Sequence, residues 1–69
     1  MKILAFDVSI TGCAVAIFDG ESGFWNKNFL ETYRGQAEML IPMIEDIIQK
    51  AGWAMQDLNR IAITQGPGS

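Results

Sequence analysis

Histidine is absent from this chain, so its residues can build neither an imidazole acid–base relay nor the common histidine-containing zinc sites. Cysteine occurs once, at Cys13, which excludes an internal disulfide; with no targeting stretch in view, this favours a cytoplasmic setting. Basic residues are few and scattered. Lys2, Lys27, Arg34, Lys50 and Arg60 form no stripe, and the net charge is −3, which argues against direct nucleic-acid binding by this segment. Long apolar runs are also missing. Only Ile3 to Phe6 precede Asp7, too short for a secretory leader and far too short to span a membrane.

What is present is a surplus of hydrophobic residues, 49% of a chain of only 69. A domain this small buries about 60% of its unfolded surface and usually needs a metal, disulfides or a partner. The excess reads as surface meant for further chain or for a partner. Ile61 to Gln65 is a strand-like run that opens into Gly66-Pro67-Gly68-Ser69. Glycine frees the backbone, proline fixes its own dihedral and serine is a favoured helix N-cap, so this turn ordinarily leads from a buried strand into a helix. Residues 1–69 are therefore expected to be the N-terminal piece of a larger domain.

Ile3 to Phe6 is a continuous apolar run, as in a central strand covered on both faces. Asp7 to Gly12 has the small and polar content of a tight turn. Cys13 to Phe18 reads as a second strand, closed by the turn Asp19 to Gly23, and Phe24 to Glu31 as a more polar edge strand. The opening is thus a three-stranded antiparallel meander. From Arg34 to Ala51 the period becomes helical: Ala37, Leu40, Ile41, Ile44, Ile47, Ile48 and Ala51 share one face, and Gly52 stands where a glycine C-cap belongs. Pro42 falls inside and should bend the helix. Trp53 to Asn59 connects to a last strand, Arg60 to Thr64.

Two clusters invite a chemical reading. Asp7, Ser9, Thr11 and Gly12 between two strands can hold a metal or cradle a phosphate with backbone N–H groups, or can simply hydrogen-bond their own turn. Gly66 and Gly68 ahead of a helix can bind an anion, or can be only a strand-to-helix turn. If the last strand runs parallel to the first, both loops share one sheet edge, where open α/β sheets bind ligands. A nuclease of the ribonuclease-H or resolvase type also opens on a meander with an aspartate in strand one. Its metals need a second carboxylate on the strand after the helix. Here that strand reads Ile61-Ala62-Ile63-Thr64-Gln65, and Asp57 precedes it, which argues against a nuclease. On the helix, Met39 and Met43 extend the apolar face, and adaptable methionines suit an interface as well as a core.

Three motifs together resemble the TsaB (YeaZ) family of the actin-like, sugar-kinase superfamily. Ile3-Leu4-Ala5-Phe6-Asp7 with Cys13-Ala14-Val15-Ala16 resembles the family's opening "ILAIDT…CSVA". Arg34 to Ile44 resembles its first helix, including the mid-helix proline, and Leu58 to Ser69 resembles its "DLDAIAVGxGPGS" segment. The departures are Val8 where members usually have threonine, and Gln36 where they usually have histidine.

The resemblance implies an α/β fold: a ribonuclease-H-like, actin-like N-terminal half-domain with a meander, one helix and a strand parallel to strand one. It implies a non-catalytic scaffold for making N6-threonylcarbamoyladenosine at position 37 of certain tRNAs. The partners implied are a TsaD-type catalytic subunit and a TsaE-type ATPase, with ATP and a divalent metal held on those partners. Transfer RNA is met only through the complex, no membrane is involved, and self-association as a homodimer stays open. On that reading Met39, Leu40, Met43 and Ile47 form the partner interface, and Asp7, Ser9, Thr11, Gly12, Gly66 and Gly68 are remnants of a phosphate site. The competing reading is an ATP-dependent phosphotransferase of the same superfamily, with Asp7, Thr11 and Gly12 framing the phosphate loop; the nuclease ranks behind it.

Overall fold

The computed structural model describes residues 1–9, 12–31 and 36–65. Strands β1 (Lys2–Ser9), β2 (Gly12–Asp19) and β3 (Trp25–Glu31) form the expected antiparallel meander. Helix α1 (Gln36–Lys50) follows, then a 3₁₀ turn (Met55–Asp57) and strand β4 (Arg60–Gln65). The sheet order is β3-β2-β1-β4, with β4 parallel to β1.

The strands alternate, and that alternation places the core. Leu4, Phe6 and Val8 of β1 pair with Ile17, Val15 and Cys13 of β2, so all six lie on one side of the sheet. There they meet Met43, Ile44, Ile47 and Ile48 of α1, and these four are buried together with Leu4, Cys13, Val15 and Ile17. The Cys13 thiol, pushed up in pKa by burial, donates to the Met43 sulfur at 3.3 Å. Burying an aliphatic side chain of this size contributes roughly 1.5–3 kcal/mol, and this one layer holds the unit together.

Two details differ from the expectation. The segment Asp7 to Ser9 is strand, not turn: pairing with β2 continues through Asp7↔Ala14 and Val8↔Cys13 to Ser9↔Gly12. Cross-strand pairing and the burial of Val8 against the core override the local turn composition. The buried arc of α1 is also displaced towards Met43, which leaves Ile41 59% exposed. The reason is placement: α1 lies mainly over β2 rather than centrally over the sheet. Among the described residues, only one face of the sheet is therefore covered.

The ends of the elements are closed by specific contacts. After Lys50 the chain takes a Schellman turn: Gly52 has φ +77°, its N–H bonds Gln49 O at 3.0 Å, and the Trp53 N–H bonds Ile48 O at 3.1 Å. Trp53 then packs against the core, meets Phe24 edge-on at 6.2 Å, and carries the Lys2 ammonium 5.4 Å from its ring centre. The Asp57 carboxylate accepts the Ala54 N–H at 2.9 Å. In the β2–β3 hairpin the Glu21 N–H donates to the Asp19 carboxylate at 3.0 Å; this bond is the main cause of a lowered Asp19 pKa, with the Lys2 charge helping. The helix runs continuously through Pro42, which sits on its exposed side.

Candidate functional site

The parallel register Asp7↔Thr64 and Val8↔Gln65 brings the C-terminal ends of β1 and β4 to one edge of the sheet, as the sequence anticipated. Of the six residues expected there, Asp7, Ser9 and Gly12 are described; Thr11, Gly66 and Gly68 lie outside the described residues.

The three described residues do different things. The Ser9 hydroxyl donates to the Gly12 carbonyl at 3.3 Å, a contact that ties the two strand ends together. Gly12 is buried against β3, where an added Cβ would meet the Leu30 carbonyl oxygen at 2.3 Å and the Phe29 ring at 3.1 Å. Its glycine is thus accounted for by strand packing. Asp7 is different. It sits inside β1 on the face away from α1, with Oδ1 shielded from solvent and without a hydrogen-bond partner.

Asp7 borders an open cleft of about 510 Å³ on that bare face. Ala5, Ala14 and Ala16 form its floor, and Lys27 and Phe29 of β3 stand at its side. The floor follows from strand alternation, since Ala5↔Ala16 and Asp7↔Ala14 are direct pairs pointing away from the core. Sequence reading singled out Asp7 but missed the cleft; the signal was the alanines alternating with Leu4, Phe6, Val15 and Ile17. Among the described residues no three His, Cys, Asp or Glu side chains converge, and the nearest side-chain charge in the cleft is a lysine. Asp57 lies at the opposite edge, two residues before Asn59, whose N–H bonds Lys2 O at 2.8 Å, so it does not join Asp7 as a carboxylate pair.

The expected partner surface on α1 requires a correction. Met43 and Ile47 are 7% and 2% exposed and belong to the chain's own core, because the buried arc is turned towards β2. Leu40 is half-buried against the same core. Met39, at 40% exposure, remains on the surface, joined by Ile41.

A four-stranded mixed sheet with a parallel β1–β4 pair and one flanking helix defines an α/β unit of the actin-like kind. A solved structure of YeaZ from Pseudomonas aeruginosa superposes on it with a TM-score of 0.87 at 32% identity, over 99% of this chain and 31% of that one. The chain belongs to the family described as TsaD, tRNA N6-adenosine threonylcarbamoyltransferase, whose model matches residues 31–69. It is 35% identical over 69 residues to the tRNA threonylcarbamoyladenosine biosynthesis protein TsaB of Escherichia coli K12, covering 100% of this chain and 29% of that protein. A shorter match, 54% over 35 residues, joins 51% of the chain to 10% of the tRNA N6-adenosine threonylcarbamoyltransferase of Erythrobacter litoralis. The chain thus spans about three tenths of the length of the TsaB and YeaZ relatives it matches. Among the described residues no helix is long and apolar enough to cross a membrane.

Proposed function

We propose that this chain serves the synthesis of N6-threonylcarbamoyladenosine in tRNA as a non-catalytic subunit that supports a TsaD-type catalytic partner. The observation that carries this reading is the end-to-end match to TsaB: similarity extends over all 69 residues, and the fold agrees over 99% of them. Gly12, a candidate for a phosphate loop, is accounted for by packing against β3, which fits an accessory role. On this reading the nucleotide and divalent metal belong to the catalytic partner and to a TsaE-type ATPase in the cytoplasm, and tRNA is met through the assembly.

The contact would use the outward side of α1, around Met39 and Ile41. Calorimetric titration of the protein against a TsaD-type subunit tests it. Met39→Glu is expected to weaken binding at least tenfold with an unchanged far-UV spectrum; unchanged affinity would remove α1 from the interface.

A second reading, that the chain belongs to a catalytic transferase subunit, is favoured by the 54% match to the Erythrobacter transferase. Modification of tRNA by this protein with every TsaD-type subunit left out would establish it.

A further inference from the structure

Strand β3 is the outermost strand on one side of the described sheet, and its outer edge is closed from within. Across the β2–β3 hairpin the Asp19 N–H bonds Phe24 O at 2.8 Å, and in an antiparallel ladder the inward amides recur at every second residue. Asn26, Asn28 and Leu30 therefore turn their N–H groups towards β2, while Lys27 and Phe29, which alternate with them, turn theirs outwards. Both of these outward donors are taken. The Lys27 N–H donates to the Asn26 carboxamide oxygen at 2.9 Å, and the Phe29 N–H to that of Asn28 at 2.9 Å. Each cap is closed between one asparagine and the residue after it, so neither depends on another part of the chain.

The composition of the strand shows what the caps oppose. Trp25 and Phe29 favour paired, extended backbone, whereas asparagine is depleted in strands. Asn26 and Asn28 are exposed, so core packing does not account for them. In an antiparallel pair of two β3 strands, a register centred on Lys27 would set Trp25 opposite Phe29 of the second copy, twice over, and such aromatic pairs are favourable. That register draws on the N–H groups of Lys27 and Phe29, and an amide has one hydrogen to give. It also sets Lys27 opposite the Lys27 of the second copy, like charges face to face.

We propose that the Asn26 and Asn28 side chains hold the β3 edge closed against pairing with β3 of a second copy, with the Lys27 charge reinforcing them. Edge strands that lack such guards are open to pairing with another chain. Here the guard is built into the strand itself, from two short polar side chains and the lysine between them.

Asn26→Gln/Asn28→Gln tests the caps. Glutamine keeps the charge and the amide chemistry, but its longer arm does not close the same short ring. Because Lys27 opposes pairing independently, the double change is made in the full-length protein carrying Lys27→Thr and followed by sedimentation velocity over a concentration series. Lys27→Thr alone is expected to keep the parent's oligomeric state, and adding the two glutamines to strengthen self-association at least tenfold. Replacing Lys27→Thr by Lys27→Pro in that variant removes an outward donor without touching the ladder, and should restore the parent's state. Hydrogen exchange in dilute solution reads the caps directly. With Asn28→Gln the Phe29 amide should exchange at least threefold faster relative to its intrinsic rate, with the Leu30 amide unchanged. Association of Lys27→Thr alone, no further association on adding the glutamines, association that survives Lys27→Pro, or an unchanged Phe29 rate would each overturn the proposal.

Discussion

Met39 and Met43 are one helical turn apart, and the structure gives them opposite roles. Met43 is buried at 7% exposure against the Cys13 thiol, so Met43→Glu places a charge in the core and is expected to cost more than the ~2–5 kcal/mol of a simple truncation there. Circular dichroism should find Met43→Glu unfolded and Met39→Glu folded. Gly12→Ala is a second residue-scale test. Its Cβ would collide with the Leu30 backbone, so β2 and β3 must part, at about 1–3 kcal/mol by chemical denaturation. Asp19 supplies a pH test. Its pKa is lowered in the folded state, so its contribution is present above the ordinary carboxylate range and fades as the pH falls through it. Asp19→Asn should melt below the parent at pH 7, and the two melting curves should converge in acid. Two of these roles were not legible from residue type alone: Met43 and Gly12 each had a plausible functional reading that only packing could decide.

At the scale of elements, the strand and helix order was legible because alternation and the 3.6-residue period are strong local signals. The end of β1 was not, since Asp7 to Ser9 has turn-like composition and is held extended by its partners in β2. The choice between Met43 and Ile41 as core residues was equally hidden. Both lie within reach of the apolar stripe, and only the seat of α1 over β2 decides which is covered. The glycine cap was readable, since Gly52 stands directly after the periodic stretch and adopts φ +77°. Gly52→Ala should cost about 1–2 kcal/mol through the left-handed backbone it must keep. Thermal unfolding checks this, and a neutral result would mean that the Schellman turn is not needed to end α1.

At the largest scale, the described residues form a sheet with a helix on one face and with alanines, Phe18, Trp25 and Phe29 uncovered on the other. The hydrophobic surplus in the composition signalled this imbalance, and the structure locates it on the bare sheet face and around Ile61 and Ile63. The bareness accords with relatives roughly three times as long, and it shifts interest from chemistry within the segment to what the segment assembles with. The most direct test of the central claim is mass spectrometry of tRNA nucleosides after depletion of this gene product in its host. The account predicts loss of N6-threonylcarbamoyladenosine with other modified nucleosides unchanged. An undiminished level, with depletion verified and no second copy of the gene, would contradict it.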